Sequence, residues 1–326
     1  MKAIVYQRYG APEVLQLTEM EKPIPKNNEV LIKLYATTVN AGDWRLRSLQ
    51  VPAGFALIMR LLFGIRRPRQ PILGSELAGE IESVGKDVSK FKIGDQVFAF
   101  TDTHLGCYVE YKCLPEDSAI ALKPSNLSYK EAAALSFGGT TALDFLRQGA
   151  LQSGESLLIN GASGGVGTAA LQLAKYFGAK VTAVCGAANV ELVRSLGADE
   201  VIDYTQEDFM RKEKTYDIIM DAVGTASFSR CKDSLKKDGR LLLLVAGLPT
   251  MLEVLWASLT TDKKILVGPA RGRAEDLRFL AALAEAGVFK PVIDRCYSFE
   301  QIVDAHHYVD TRRKNGNVII TWVKDV

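Results

Sequence analysis

The run Gly161-Ala162-Ser163-Gly164-Gly165-Val166-Gly167 follows directly on Leu157-Leu158-Ile159-Asn160. That order reads as a buried strand, a tight turn and the first turn of an amphipathic helix. Glycine at such a turn lets the backbone approach a pyrophosphate, and a helix start offers free N–H groups and a positive dipole end. Ser163, Gly164, Gly165 and Val166 are therefore expected to bind a dinucleotide, although Ala162 stands where the fingerprint has its first glycine. The competing reading is a glycine-rich turn that serves packing alone.

The second strand of such a unit tells which dinucleotide fits. An NAD-preferring site places Asp or Glu at its end, on the adenosine ribose. Here the stretch is Val184-Cys185-Gly186-Ala187-Ala188-Asn189, with no acid before Glu191 and no Arg or Lys to attract a 2′-phosphate. The sequence permits NADPH at Gly186 without demanding it, and NADH stays open. Tyr108 and Lys112 form a YxxxK, a pair that polarises carbonyls in short-chain dehydrogenases. It lies upstream of the glycine turn in β-type sequence, without helical spacing, and that disfavours the reading. The five cysteines form no CxxC pair, and none of the three histidines has metal-ligand spacing with a cysteine. No zinc site is expected.

The elements that must carry these residues fall into two textures. Through residue 124 the chain reads as β-rich, with strands at 29–36, 76–84 and 96–100 separated by turn-forming sequence. From Ser125 strands and helices alternate: strands at 156–160, 180–185, 217–220, 240–245 and 264–268, helices at 165–177 and 190–196. This is the pattern of a doubly wound parallel sheet. After Gly268 come a helix at 274–286, a short strand near Val292, a helix near Glu300 and a final strand at 317–322, a tail suited to packing on the first domain. The fold class is thus α/β, with a β-rich domain at 1–124, completed by 269–326, and a dinucleotide-binding domain at 125–268.

Length and composition agree with two ordinary globular domains: 326 residues, 48% hydrophobic and 24% charged. A formal charge of +2 argues against nucleic acid as the partner. The chain opens without a signal-peptide pattern, its longest apolar run (241–248) is too short to span a bilayer, and its cysteines are scattered. A cytoplasmic protein with no stable membrane insertion is the expectation.

Taken together and in order, several segments resemble the medium-chain dehydrogenase/reductase superfamily, in its zinc-independent quinone oxidoreductase branch. They are Met1 to Val5, Gly74-Ser75-Glu76-Leu77-Ala78-Gly79, Asn160 to Gly167, Gly197-Ala198-Asp199, Asp221-Ala222-Val223-Gly224, Lys290 to Asp294 and Gly316 to Ile319. The resemblance implies a GroES-like catalytic domain built from both chain ends, a Rossmann domain, an active site in the cleft between them, and a homodimer joined through the strand at 264–268. Where zinc-dependent relatives carry a Cys ligand, this chain resembles Val39-Asn40-Ala41-Gly42-Asp43; where they have Gly-His-Glu, it has Gly74-Ser75-Glu76. By the same resemblance Asn40 and Asp43 line the nicotinamide pocket as catalytic residues, with a locally bonded loop turn as the alternative. Thr141 lies beside the nicotinamide and phosphates, with a helix cap as the alternative for Thr140-Thr141. Tyr204 and Arg312 contact the adenosine phosphate, which tips the cofactor toward NADPH. Ala222, Val223 and Gly224 cover the cofactor ribose.

Without a Lewis acid, an acceptor that is already electron-poor, such as a quinone or enone, needs only orientation to take up hydride. The activity expected is zinc-free, NADPH-dependent reduction of a small-molecule quinone or enone. Its rivals are reduction of a 2-alkenal or enoyl double bond, and NADPH binding without turnover that controls a partner. The apolar stretch 51–65, followed by Arg66-Arg67-Pro68-Arg69, has three readings: a lid over the substrate, a core-packing helix, or a contact with an anionic membrane surface.

Overall fold

A computed structural model describes residues 1–210 and 214–322. The chain packs as two units, one of residues 1–51, 56–140 and 272–326, the other of residues 52–55 and 141–271.

The first unit is built on the strand Glu29–Val39, whose apolar residues are buried along nearly its whole length. This strand pairs antiparallel with Glu76–Val84, with Tyr111–Pro115 and with Asn317–Thr321. Ile293–Ser298 and Gln96–Phe100 followed by Ile120–Leu122 extend the sheet on either side to seven strands, and Lys2–Tyr6 pairs with Leu15–Glu19 in a separate ribbon. Leu34, Leu77, Ile81 and Val97 fill one core cluster, and Ile4, Trp44, Tyr108, Phe299 and Ile320 a second. The tail expected to return to the first domain does so, as a strand at the heart of its sheet.

In the second unit six parallel strands run in the order Glu200–Asp203, Lys180–Cys185, Ser156–Asn160, Tyr216–Asp221, Leu235–Leu243 and Lys264–Val267. Numbered within the unit this is 3-2-1-4-5-6, the doubly wound order of dinucleotide-binding folds. Leu157, Leu158 and Ile159 are all fully buried, as strands covered on both faces require.

Four expectations change. The first boundary falls at 140/141, because the short helix Tyr129–Ala133 buries Ala132 and Ala133 in the first unit and Ser136 bonds its Ala99 carbonyl. The second falls at 271/272 instead of 268/269. Two further elements, the edge strand Glu200–Asp203 and the helix Leu248–Thr260, have sequences too short or too evenly apolar for periodicity to declare them. The segment 51–69 is not a core-packing helix: it contains the helix Ala56–Phe63, in which no residue is buried.

Candidate active site

In the first unit the strand Glu29–Val39 ends where Asn40 opens the helix Ala41–Ser48. Asn is a strong helix N-cap and Asp at the third helical position can close the box. The Asn40 Oδ1 accepts the Gly42 and Asp43 N–H groups at 2.8 and 3.2 Å, and Asp43 accepts the Asn40 N–H at 3.0 Å. Both side chains then reach the neighbouring segment. Asn40 Nδ2 donates to Ser75 Oγ at 2.9 Å and to Glu76 at 3.3 Å, while Asp43 Oδ1 accepts the Gly74 N–H at 2.9 Å.

Glu76 is completely buried and accepts from the Thr38 hydroxyl, from Asn40 and from the Phe137 N–H. Burial raises its carboxyl to about 7 against the pull of those donors. Asp43 is raised to about 6 by burial, opposed by bonds from the Asn40 and Gly74 N–H groups and the Tyr108 hydroxyl. That hydroxyl also lies 3.2 Å from His306 Nε2, and burial keeps His306 neutral. Tyr108 is thus held by Asp43 and His306, which disposes of the YxxxK pairing with Lys112.

Asn40 and Asp43, the residues expected to line the nicotinamide pocket, are tied into this corner by their own hydrogen bonds. Every polar valence of the Asn40 amide is used within the protein, and both Asp43 oxygens hold backbone N–H groups. The two residues fix the corner between residues 40 and 76 instead of presenting free groups to a ligand. Their type and spacing allow local side-chain bonds, which the structure makes as a helix cap where a loop turn is expected; the buried partners Thr38, Ser75 and Glu76 carry no signal of their own beyond the resemblance around Gly74.

In the second unit the predicted cofactor residues do converge. Gly161 follows the strand Ser156–Asn160 with φ of +82°, and a Cβ there would lie 2.6 Å from Val223. A Cβ on Gly167 would lie 2.1 Å from the Gly161 carbonyl oxygen, so only glycine lets the helix Gly165–Tyr176 sit this close to the turn. No side chain caps that helix at Gly164, which leaves its first N–H groups for an anion. Ser163 is tied to the Asn189 amide at 3.3 Å, and Gly186 lies beside Tyr204, whose hydroxyl oxygen is 3.3 Å from where a Cβ would stand.

Asn160 and Asp221 are paired in the parallel register and end the first and fourth strands of the unit, at the point where strand order reverses. Asn160 Nδ2 donates to Asp221 at 2.9 Å and to Thr225 at 2.8 Å. The Asp221 carboxylate in turn accepts the N–H groups of Val223, Gly224 and Ala226, and so shapes the loop Ala222-Val223-Gly224. This role is not among the sequence expectations; polar residues closing two neighbouring buried strands are its signal. A recess of about 550 Å³ near Gly186 is lined by Ala187, Arg194, Asp203 and Gln206 among others.

Thr140 and Thr141 lie inside the helix Ser136–Gln148, where the Thr140 hydroxyl bonds the Ser136 carbonyl, so neither is the cap considered for them. Arg312 belongs to the first unit, its guanidinium 4.5 Å from the Trp44 ring centroid.

Residues 26–125 match the alcohol dehydrogenase GroES-like domain and residues 196–320 the zinc-binding dehydrogenase domain. A 2-methylene-furan-3-one reductase of Solanum lycopersicum is 35% identical over 98% of this chain and 79% of its own length. A chloroplast envelope quinone oxidoreductase homolog of Arabidopsis thaliana is 34% identical over 98% of both. The chain belongs to the medium-chain dehydrogenase/reductase superfamily. The quinone oxidoreductase from Coxiella burnetii superposes with a TM-score of 0.88 at 29% identity, over 99% of each chain. Within the superfamily this is a quinone-oxidoreductase-like enzyme, and its GroES-like and Rossmann folds are those the resemblance implied.

Both groups that the superfamily implies can be tested against these residues. A dinucleotide fits the second unit: the close turn, the uncapped helix start and the loop held by Asp221 form a cradle that a Cβ would fill. Zinc does not fit the first unit, where the corresponding segments offer an amide, a hydroxyl and a carboxylate already bonded to one another, with no thiolate or imidazole among them. Among the described residues no group of three or more His, Cys, Asp or Glu could hold a metal ion.

Proposed function

We propose that this enzyme uses NADPH, without zinc, to reduce a quinone or enone. The observation that carries the reading is the closed network of Thr38, Asn40, Asp43, Ser75 and Glu76, which leaves the protein no Lewis acid at that corner and so suits an acceptor that is already electron-poor. Relatives named as a 2-methylene-furan-3-one reductase and as a quinone oxidoreductase homolog have acceptors of that chemical type in their names. When bound, the nicotinamide supplies the hydride. The residues of this chain bind and position: Ser163, Gly164, Gly165 and Val166 take the pyrophosphate, Ala222, Val223 and Gly224 cover the ribose, and Thr141 flanks the nicotinamide. Asn40 and Asp43 hold the wall against which the acceptor lies, so they are positioning residues in this reading.

The preference for NADPH is supported by the acid nearest the ribose end. Asp203 adjoins Cys185 in the parallel register, but its carboxylate is engaged by the Thr205 N–H and hydroxyl and by the Ala187 N–H. An acid so committed does not select for a ribose diol, and Tyr204 beside Gly186 offers a hydroxyl to a 2′-phosphate. A cytoplasmic setting is supported by five free cysteines. A homodimer is supported by the edge strand Lys264–Val267 and the exposed Leu255, Trp256 and Leu259 of the helix that packs beside it. Sedimentation of wild type against Trp256→Glu tests that interface.

The deciding experiment is consumption of NADPH and of NADH by the purified protein, with an aromatic ortho-quinone and a 2-alkenal offered separately, with and without chelator. Chelator-insensitive NADPH oxidation with the quinone is the expected result. Turnover of the alkenal alone moves the assignment to double-bond reduction, and NADPH binding without turnover of either acceptor overturns the reading in favour of a regulatory binder.

A further inference from the structure

The helix Ala56–Phe63 has an inner and an outer side. Its inner side is fixed to the first unit: Arg60 lies 5.8 Å from the Tyr9 ring centroid, and the Tyr9 hydroxyl bonds the Gly64 carbonyl at 2.8 Å just past the helix end. At 100° per residue Leu57, Ile58, Leu61 and Leu62 fall together in an arc of about 140° on the other side. That side faces outward, with Leu57 69%, Leu61 52% and Leu62 60% exposed, and the exposed Ile65 continues it. A helix anchored by its polar contacts, with its leucines turned to solvent, inverts the usual pattern and marks an interaction surface.

Charge identifies what covers it. From Trp44 to Ser75 the chain has six arginines and not one Asp or Glu. Arg66, Arg67 and Arg69 are exposed immediately after the apolar face. An apolar helical face whose flanking sequence carries cations and no acids is complementary to a surface that is apolar inside and anionic outside, which is the boundary of a bilayer containing acidic lipid. Eight residues make a helix of about 12 Å, which lies in such an interface and does not cross it. Among the described residues no helix is long and apolar enough to cross a membrane.

We infer that this enzyme docks reversibly on anionic membrane surfaces through the outer face of the helix Ala56–Phe63 and the arginines that follow it. The inference does not depend on the reaction proposed above, and its test involves no cofactor or acceptor.

The full chain is sedimented with large vesicles, either of pure phosphatidylcholine or of equimolar phosphatidylcholine and phosphatidylglycerol. Binding is expected to the anionic vesicles, weakened by salt and at least about tenfold poorer to the neutral ones. Leu61→Ser with Leu62→Ser, and separately Arg66→Gln with Arg67→Gln, should each lower partitioning by at least about tenfold while the melting temperature is retained. Three outcomes would overturn the inference: no partitioning of the wild type, equal partitioning onto both vesicle types, or partitioning unchanged in the leucine variant. Self-association that the leucine variant abolishes, without vesicle binding, would assign the face to a second copy and overturn it as well.

Discussion

Glu76 and Asp43 are carboxylic acids placed where water does not reach, and the protein pays for their charge with directed donors instead of cations. Because burial raises both, to about 7 and about 6 from ordinary values of 4.5 and 3.8, the folded state holds their protons more tightly than the unfolded chain does. The stability they contribute is complete below about pH 4 and is lost as pH rises through 6 and 7. Glu76→Gln should therefore flatten the fall in stability between pH 4 and 8 by on the order of 2 kcal/mol, measured by denaturant melts along a pH series. An unchanged slope would mean that folding does not raise the proton affinity of Glu76. Asn40 supports the same corner by its amide. Asn40→Ala should lower kcat about tenfold to a hundredfold with NADPH affinity nearly unaltered, as expected when a positioned wall shifts. Asn40→Ser keeps an N-cap acceptor but loses the donor to Ser75; it should recover melting temperature and not kcat. Equal recovery of both would make Asn40 a cap and nothing more. The sequence makes Asn40 and Asp43 legible as a pair but not their fully bonded state, because the partners Gly74, Ser75 and Glu76 lie more than 30 residues away.

At the scale of elements, the glycine turn and its helix were legible because three local constraints coincide: a buried strand, positive φ at Gly161, and a contact that excludes a side chain at Gly167. Gly167→Ala places a methyl against the backbone of Gly161 and Ala162, which cannot rotate away. The helix must move instead, at a cost of about 1–3 kcal/mol. NADPH binding, followed by fluorescence titration, should weaken by at least about tenfold because the helix start no longer meets the pyrophosphate. The helix Leu248–Thr260 is not legible in the sequence for the opposite reason. Its exposed leucines and Trp256 give no polar face, so the periodicity that betrays a helix is blurred. The stretch 51–65 is plainly apolar in sequence, but the outward aim of its side chains follows from the anchoring of Arg60 and Gly64 at Tyr9.

For the whole molecule, the two-unit plan followed from texture, whereas the boundary within the helix Ser136–Gln148 did not, since a continuous helix carries no mark of where its packing partner changes. One tie between distant parts of the chain was invisible in advance. Arg47 is fully buried, and its Nη2 alone donates to both Asp310 carboxylate oxygens at 2.6 and 2.8 Å, joining the helix Ala41–Ser48 to Ile302–Asp310. Removing Asp310 strands a charge in the interior, so Asp310→Ala should cost about 3–5 kcal/mol, while Arg47→Met should cost distinctly less. Thermal denaturation of the two variants checks the order, and the reverse order would mean that Arg47 stabilises by packing alone.

The strand Asn317–Thr321, paired with Glu29–Val39, sets a timetable for biosynthesis. Residues 141–271 emerge from the ribosome as a nearly continuous unit, whereas the central strand of the first sheet waits for residues 317–321 before it gains that neighbour. Through that interval the nascent chain carries an open strand edge, the kind of surface that holdase chaperones recognise and that aggregation exploits. Synthesis of residues 317–321 thus governs when the sheet begun at 29–39 becomes safe from misassembly.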